Sequence, residues 1–229
     1  MKLGTYVEVL NYVDDTKSAG EYYAKLGLNK IAEDVYSDGR YHLRLVKGEG
    51  ANPTLRYYGA DIDALQASGL DIKDNKLSSP QGLQIELTSD APPLKLPHDN
   101  IAVAPETTRL GKFGELSIFV DDLEVEGAFW EQCGYRVLGN KYTDPMPWGI
   151  WLDDMYLIGI HQYGMVEPFS ITYFRPDMKD INNTLVDEGF ALEAFMENPD
   201  DTSLEHATLM TPYNIKFYLF TGDISDANP

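Results

Sequence analysis

Residues 6–28 read YVEVLNYVDDTKSAGEYYAKLGL, and residues 114–135 read GELSIFVDDLEVEGAFWEQCGY. Superposed on their double aspartates, Asp14-Asp15 falls on Asp121-Asp122, Glu8 on Glu115 and Val13 on Val120. Gly20 then falls on Gly127, Tyr22-Tyr23 on Phe129-Trp130, and Gly27 on Gly134. An internal repeat governs the architecture before any single residue does. One strand–helix unit is therefore used at least twice.

Two weaker copies follow the same grammar, TLRYYGADIDALQASGL (54–70) and FSITYFRPDMKDINNTLVDEGF (169–190). In each copy an alternating strand reaches an aspartate: Asp15, Asp61, Asp122 or Asp177. Aspartate at a helix start accepts hydrogen bonds from free backbone N–H groups and opposes the helix dipole. Each helix then ends at a glycine, Gly27, Gly69, Gly134 or Gly189, the residue that closes a helix in the left-handed conformation. Strand-like stretches follow every helix, so the unit reads β-α-β-β-β, with the second copy a strand short. The stretch 91–111 holds Pro92, Pro93, Pro97 and Pro105, lacks periodicity and also contains His98. It divides the chain into expected domains at 1–90 and 112–222, and the tail after 222 is expected to fray.

Composition narrows the function. The 229 residues carry a formal charge of −19, which repels phosphate backbones and anionic lipid, so neither nucleic acid nor membrane is an expected partner. No run of about 18 apolar residues is present, and MKLGTYVEVL has no apolar signal core. The single cysteine cannot form an internal disulfide, which fits a cytoplasmic setting. Cys133 aligns with Leu26 of the first repeat and is read as a small core hydrophobe.

The grammar resembles the vicinal oxygen chelate superfamily, the group of glyoxalase I, the bleomycin and fosfomycin resistance proteins and the extradiol dioxygenases. VDDTKSAGEYYAKLGL is similar to that family's first strand and helix, SSPQGLQIEL (78–87) to its closing turn and strand, and TPYNIKFYLF (211–220) to the same place in the second half. The resemblance implies an α+β fold in which four βαββ(β) units pair into two incomplete, cleft-forming β-barrels. It also implies that metal ligands, where present, come from the first and last strands of each unit.

Side chains alternate along a strand, so alternate residues face the cleft. Val7, Val9 and Val13 pack the helix and leave Glu8, Leu10 and Tyr12 for the cleft. By the same reading Glu115, Ser117, Phe119, Thr54, Arg56, Tyr58, Ser170, Thr172, Phe174, Gln84, Glu86, Lys216 and Tyr218 face inward. The resemblance places Glu8 and Glu115 where the family has its first metal ligand, and Glu86 at its closing glutamate. Two readings stay open. A divalent metal could sit on Glu8, His42 and Glu86, or on Glu115 and His161, with Thr54, Ser170 and Tyr218 at the remaining positions. Without metal, Glu8 and Glu86 would pair with Arg44 or Arg56, and Glu115 with Lys216. The two-histidine, one-carboxylate set of the extradiol dioxygenases is absent from the expected positions, and that activity is disfavoured.

TDPMPWGIW (143–151) supplies Trp148 and Trp151, which either stack a ligand at the mouth of the second cleft or pack on the barrel. Tyr36, Tyr41, Tyr57 and Tyr58 pose the same choice in the first half. The expectation is a protein that needs no cofactor and binds a small organic molecule through Glu115, Phe119, Trp148, Trp151, His161, Thr172 and Tyr218, with Glu8, Tyr12, Arg56 and Glu86 in the first half. The alternatives are a metal-dependent lyase or isomerase of the glyoxalase type and an interaction module with filled clefts. A homodimer that shares its clefts remains open.

Overall fold

A computed structural model describes residues 1–95, 108–143, 145–162, 168–195 and 204–223. The expected position of His98 and the tail beyond residue 223 lie outside them. Unit one comprises β1 (Tyr6–Val13), α1 (Thr16–Lys25), β2 (Asn29–Ala32), β3 (Val35–Ser37) and β4 (His42–Lys47). Unit two comprises β5 (Thr54–Tyr58), α2 (Ile62–Ala67), β6 (Lys76–Ser78) and β7 (Gln84–Thr88), one strand fewer than the other units. Unit three comprises β8 (Lys112–Val120), α3 (Leu123–Gln132), β9 (Arg136–Lys141), β10 (Trp148–Leu152) and β11 (Leu157–Gln162). Unit four comprises β12 (Phe169–Arg175), α4 (Met178–Asp187), β13 (Leu192–Ala194), β14 (His206–Met210) and β15 (Lys216–Thr221).

Units one and two form a 7-stranded sheet of order β2-β3-β4-β1-β5-β7-β6. Units three and four form an 8-stranded sheet of order β13-β14-β15-β12-β8-β11-β10-β9. In each sheet the first strands of the two units meet antiparallel at the centre, β1 against β5 and β8 against β12. Each central strand also runs parallel to the last strand of its own unit, β4, β7, β11 or β15. Both sheets are open, and the fold is α+β.

The local grammar holds with one departure. Asp15 accepts from Lys17 N, Asp61 from Ala64 N, and Asp122 from Glu124 N and Val125 N. Asp177 makes no cap, because its carboxylate is held by Arg175 two residues earlier. The closing glycines Gly27, Gly69, Gly134 and Gly189 take φ of +91°, +94°, +94° and +89°. The chain then turns back, with Leu28 N bonding Tyr23 O and Tyr135 N bonding Trp130 O.

The helix-side residues of both sheets merge into one core that runs through Val7, Tyr23, Leu55, Leu116, Trp130 and Phe217. Polar contacts cross between the halves inside it. Tyr57 and Tyr135 hydroxyls lie 2.5 Å apart, Tyr173 donates to Asp38, and Arg40 donates to Met155 O. Glu126 on α3 accepts from Gln81 N in the first half and from its own helix neighbour Trp130. Of the four first-half tyrosines, Tyr36, Tyr41 and Tyr57 are spent here. The Tyr36 hydroxyl lies against Gly20 of α1, and Tyr41 packs on Phe113 and Tyr156. Cys133 is buried in the same core as expected, and burial pushes its thiol up to about 12.

Candidate functional site

The strand register fixes which residues are neighbours on the sheet faces opposite the helices. Glu115 on β8 stands opposite Thr172 on β12, which stands beside Tyr218 on β15. Phe119 stands beside His161 on β11, and Trp148 on β10 stands opposite His161. In the first sheet Glu8 stands opposite Arg56 on β5, which stands beside Glu86 on β7. The residue across from Glu8 is thus Arg56, and Thr54, the residue considered for a ligand position in unit two, stands opposite Leu10. Thr54 instead donates to the carbonyl of Ala51.

In the second half a chain of polar contacts converges on one carboxylate oxygen. His161 Nε2 lies 2.6 Å from Glu115 Oε1, and Ser117 Oγ donates to the same Oε1 at 2.7 Å. Ser117 Oγ also lies 2.6 Å from Thr172 Oγ1. Oε2 accepts no hydrogen bond among the described residues. The carboxylate lies against Gly159 of β11, where a Cβ would fall 2.0 Å from Oε2. Burial pushes the Glu115 carboxyl up, but His161 and Ser117 outweigh it and hold the group below the ordinary glutamate range. The expected partner Lys216 is replaced in this role by His161 and Ser117. Ser170, directly opposite Ser117, keeps a buried hydroxyl with no hydrogen-bond partner among the described residues.

Aromatic rings frame this carboxylate. Phe119 stacks on His161 with centroids 5.3 Å apart, and meets Tyr218 edge to face. Tyr218 stacks on Phe220, and Phe195 packs edge to face on both. Trp148 shares His161's face, half-buried, with Lys141 Nζ over its ring. Trp151 is on the other face. It is fully buried, fills the space over Gly127 of α3 and points its Nε1 toward Glu131. A one-residue irregularity in the β9–β10 pairing between Ile150 and Trp151 accompanies the separation. The packing role, and not the stacking one, fits Trp151.

In the first half the carboxylates already hold cations. Arg44 grips Glu8 with Nε and Nη2 at 2.5 and 2.8 Å, and Tyr58 and Tyr6 hydroxyls donate to the same carboxylate. Arg56 and Lys76 both reach Glu86, and the Tyr12 hydroxyl donates to it as well. His42 joins this exchange only through Tyr6, its Nδ1 2.6 Å from the Tyr6 hydroxyl. Burial lowers its pKa to about 4, so its imidazole is neutral; with the one Tyr6 proton given to Glu8, the Tyr6–His42 contact calls for the tautomer protonated at Nδ1.

The sequence matches no protein-family model and no curated protein. Solved structures do match, across nearly the whole chain. Homoprotocatechuate 2,3-dioxygenase from Brevibacterium fuscum, in its E323L mutant form, superposes with TM-score 0.55 at 13% identity over 97% of this chain and 72% of that one. The 2,2',3-trihydroxybiphenyl 1,2-dioxygenase of Sphingomonas wittichii strain RW1 gives 0.56 at 13%, covering 95% and 89%. A mutant 4-hydroxymandelate synthase from Streptomyces coelicolor gives 0.54 at 12%, covering 92% and 90%. The chain has the vicinal oxygen chelate fold. Identity this low fixes the fold and leaves the chemistry to the residues.

The vicinal oxygen chelate fold implies a divalent metal in many of its members, and among the described residues neither face offers a full ligand set. A catalytic ion is ordinarily held by three protein ligands. Among the described residues no three His, Cys, Asp or Glu side chains converge. Glu8 and Glu86 are each bonded to guanidinium groups, and His42 faces Tyr6, so these three do not form a site. Glu115 and His161 supply two donors, with Ser117 and Thr172 hydroxyls beside them. Ser117 was among the inward-facing residues read from sequence, whereas Gly159 and Tyr6 were not singled out. Gly159 had a readable signal, an isolated glycine inside the apolar run MYLIGIH, which marks a close approach.

Proposed function

We propose that this chain binds a small organic molecule on the Glu115 face, without a resident catalytic metal. The observation that carries the reading is the uncommitted Oε2 of Glu115. The carboxylate is nearly buried, with a side chain 10% exposed, yet both of its donors land on Oε1. Oε2 is not among the buried atoms that lack a partner, so it faces solvent, and a ligand donor placed there displaces water and makes a charge-assisted hydrogen bond. Trp148, half-buried on the same face, supplies flat apolar surface, and the buried rings of Phe119 and Tyr218 back the site. The ligand therefore carries a hydroxyl, amine or other donor attached to an apolar or aromatic body. His161, partly exposed beside Glu115, supplies a second polar contact whose orientation the carboxylate fixes.

The fold's dioxygenase neighbours motivate a second reading, in which Glu115 and His161 form half of a divalent-metal site and the protein is a lyase or isomerase. The two-donor set weighs against it. Titration of chelator-treated protein with Mn²⁺ or Zn²⁺ separates the readings. Binding weaker than millimolar, unchanged in Glu115→Gln, supports the metal-free site. A stoichiometric ion lost in Glu115→Gln and His161→Ala supports the metal enzyme.

A further inference from the structure

The first half carries a polar network that the Glu115 site does not use. It runs without a break over five neighbouring strands. Arg44 on β4 binds Glu8 on β1, Glu8 accepts from Tyr58 on β5, Arg56 on β5 binds Glu86 on β7, and Lys76 on β6 binds Glu86 again. Three cations thus surround two carboxylates. That is a local positive excess in a chain whose formal charge is −19.

The geometry of the two guanidinium groups gives this excess a direction. Arg44 uses Nε and Nη2 for Glu8, and Arg56 uses Nε and Nη2 for Glu86. In each, Nη1 holds no carboxylate. Glu8 is fully buried and Glu86 is 14% exposed, whereas the Arg44, Arg56 and Lys76 side chains are 23%, 30% and 60% exposed. The anions therefore lie on the floor of the sheet and the cations stand above them toward solvent. Each carboxylate fixes its arginine in place, so the outer edge is presented with little freedom left to lose on binding.

We propose that this face is a second binding site, independent of Glu115, for an organic carboxylate. The planar, forked donors of Arg44 and Arg56 match a carboxylate group, and Lys76 adds an unspecific positive charge. The partly exposed Tyr12 ring, held over Gly50 with its hydroxyl on Glu86, gives the organic body a wall to lie against. The same arrangement explains why this half cannot take a cation: the places beside its two glutamates are filled by guanidinium groups.

The test is a titration of the full chain with sodium benzoate at constant ionic strength, following arginine Nε–Hε signals by NMR. Arg44 and Arg56 signals should shift and saturate, while benzamide, the uncharged isostere, should leave them in place. Inorganic phosphate should shift them at about tenfold higher concentration or more. Arg44→Lys and Arg56→Lys keep a cation on each glutamate and remove the outer fork, and each should weaken benzoate at least about tenfold. Where either variant fails to fold, Lys76→Met, an exposed position, should weaken binding about threefold. Lys73→Met, whose partner is the exposed Asp71, should have no effect. Unsaturable shifts, equal response to benzamide, tighter binding of phosphate, or full affinity in the arginine and Lys76 variants would each overturn the proposal.

Discussion

Glu115 rests against Gly159 so closely that a methyl group at residue 159 would overlap its carboxylate, with Cβ 2.0 Å from Oε2. The glycine is what lets the carboxylate lie over β11 and reach His161 on the same strand. Gly159→Ala should push the carboxylate off His161, since the flexible side-chain end moves more easily than the strand. We expect a loss of about 1–3 kcal/mol in unfolding free energy. The His161 imidazole signals should move in NMR spectra while the far-UV spectrum is kept.

The Glu115 contacts also set an acid limb. Its carboxyl is held below the ordinary value of 4.5 in the folded chain. Its contribution to stability is complete above the unfolded pKa and is lost as pH falls through the folded one. Denaturant unfolding between pH 6 and pH 3 should show a steeper decline for wild type than for Glu115→Gln.

Asp153 has the opposite sign. Burial raises its pKa from 3.8 to about 6, and its Oδ2 is buried without a hydrogen-bond partner among the described residues. Between those values the folded chain holds a proton that the unfolded chain has released, so stability falls as pH rises from about 4 to about 6. Asp153→Asn should keep the Oδ1 contacts to Met155 N and Tyr156 N, flatten that slope, and gain about 2–3 kcal/mol at pH 7. Chemical denaturation at pH 4.5 and pH 7 checks both parts.

Glu8 and Arg44 form a pair whose members fail differently alone and together. Arg44→Met leaves a fully buried carboxylate without its guanidinium, and should cost about 3–5 kcal/mol. Glu8→Gln/Arg44→Met should recover much of that loss, because no charge is then stranded. A double-mutant cycle in urea measures the coupling. Near additivity of the two single changes would mean that the pair is not coupled.

Much of this fold could be read from the chain because the repeat exposes its own punctuation. The aspartate before each helix and the glycine after it mark unit boundaries, and the parity of β1 and β8 placed Glu8 and Glu115 on the faces opposite the helices. Parity failed where register matters. It could not tell that Arg56, two residues beyond Thr54, stands across from Glu8, because register depends on pairing between distant strands. It also could not place Trp151, whose bulk is matched by the missing side chain of Gly127 on a separate helix. The base beside Glu115 is His161 on β11, which the sequence had joined to it as a possible metal ligand, and not Lys216 on β15, the partner expected without metal.

A ligand on the Glu115 face would be held through Oε2, the carboxylate oxygen that His161 and Ser117 leave unbonded. A fragment titration by NMR, using small phenols and aromatic amines against protein with labelled histidine and aromatic side chains, tests it most directly. Bound fragments should shift His161, Phe119 and Tyr218 together and lose affinity about tenfold or more in Glu115→Gln. Fragments that leave those three signals still, or that bind Glu115→Gln as tightly as wild type, would contradict it.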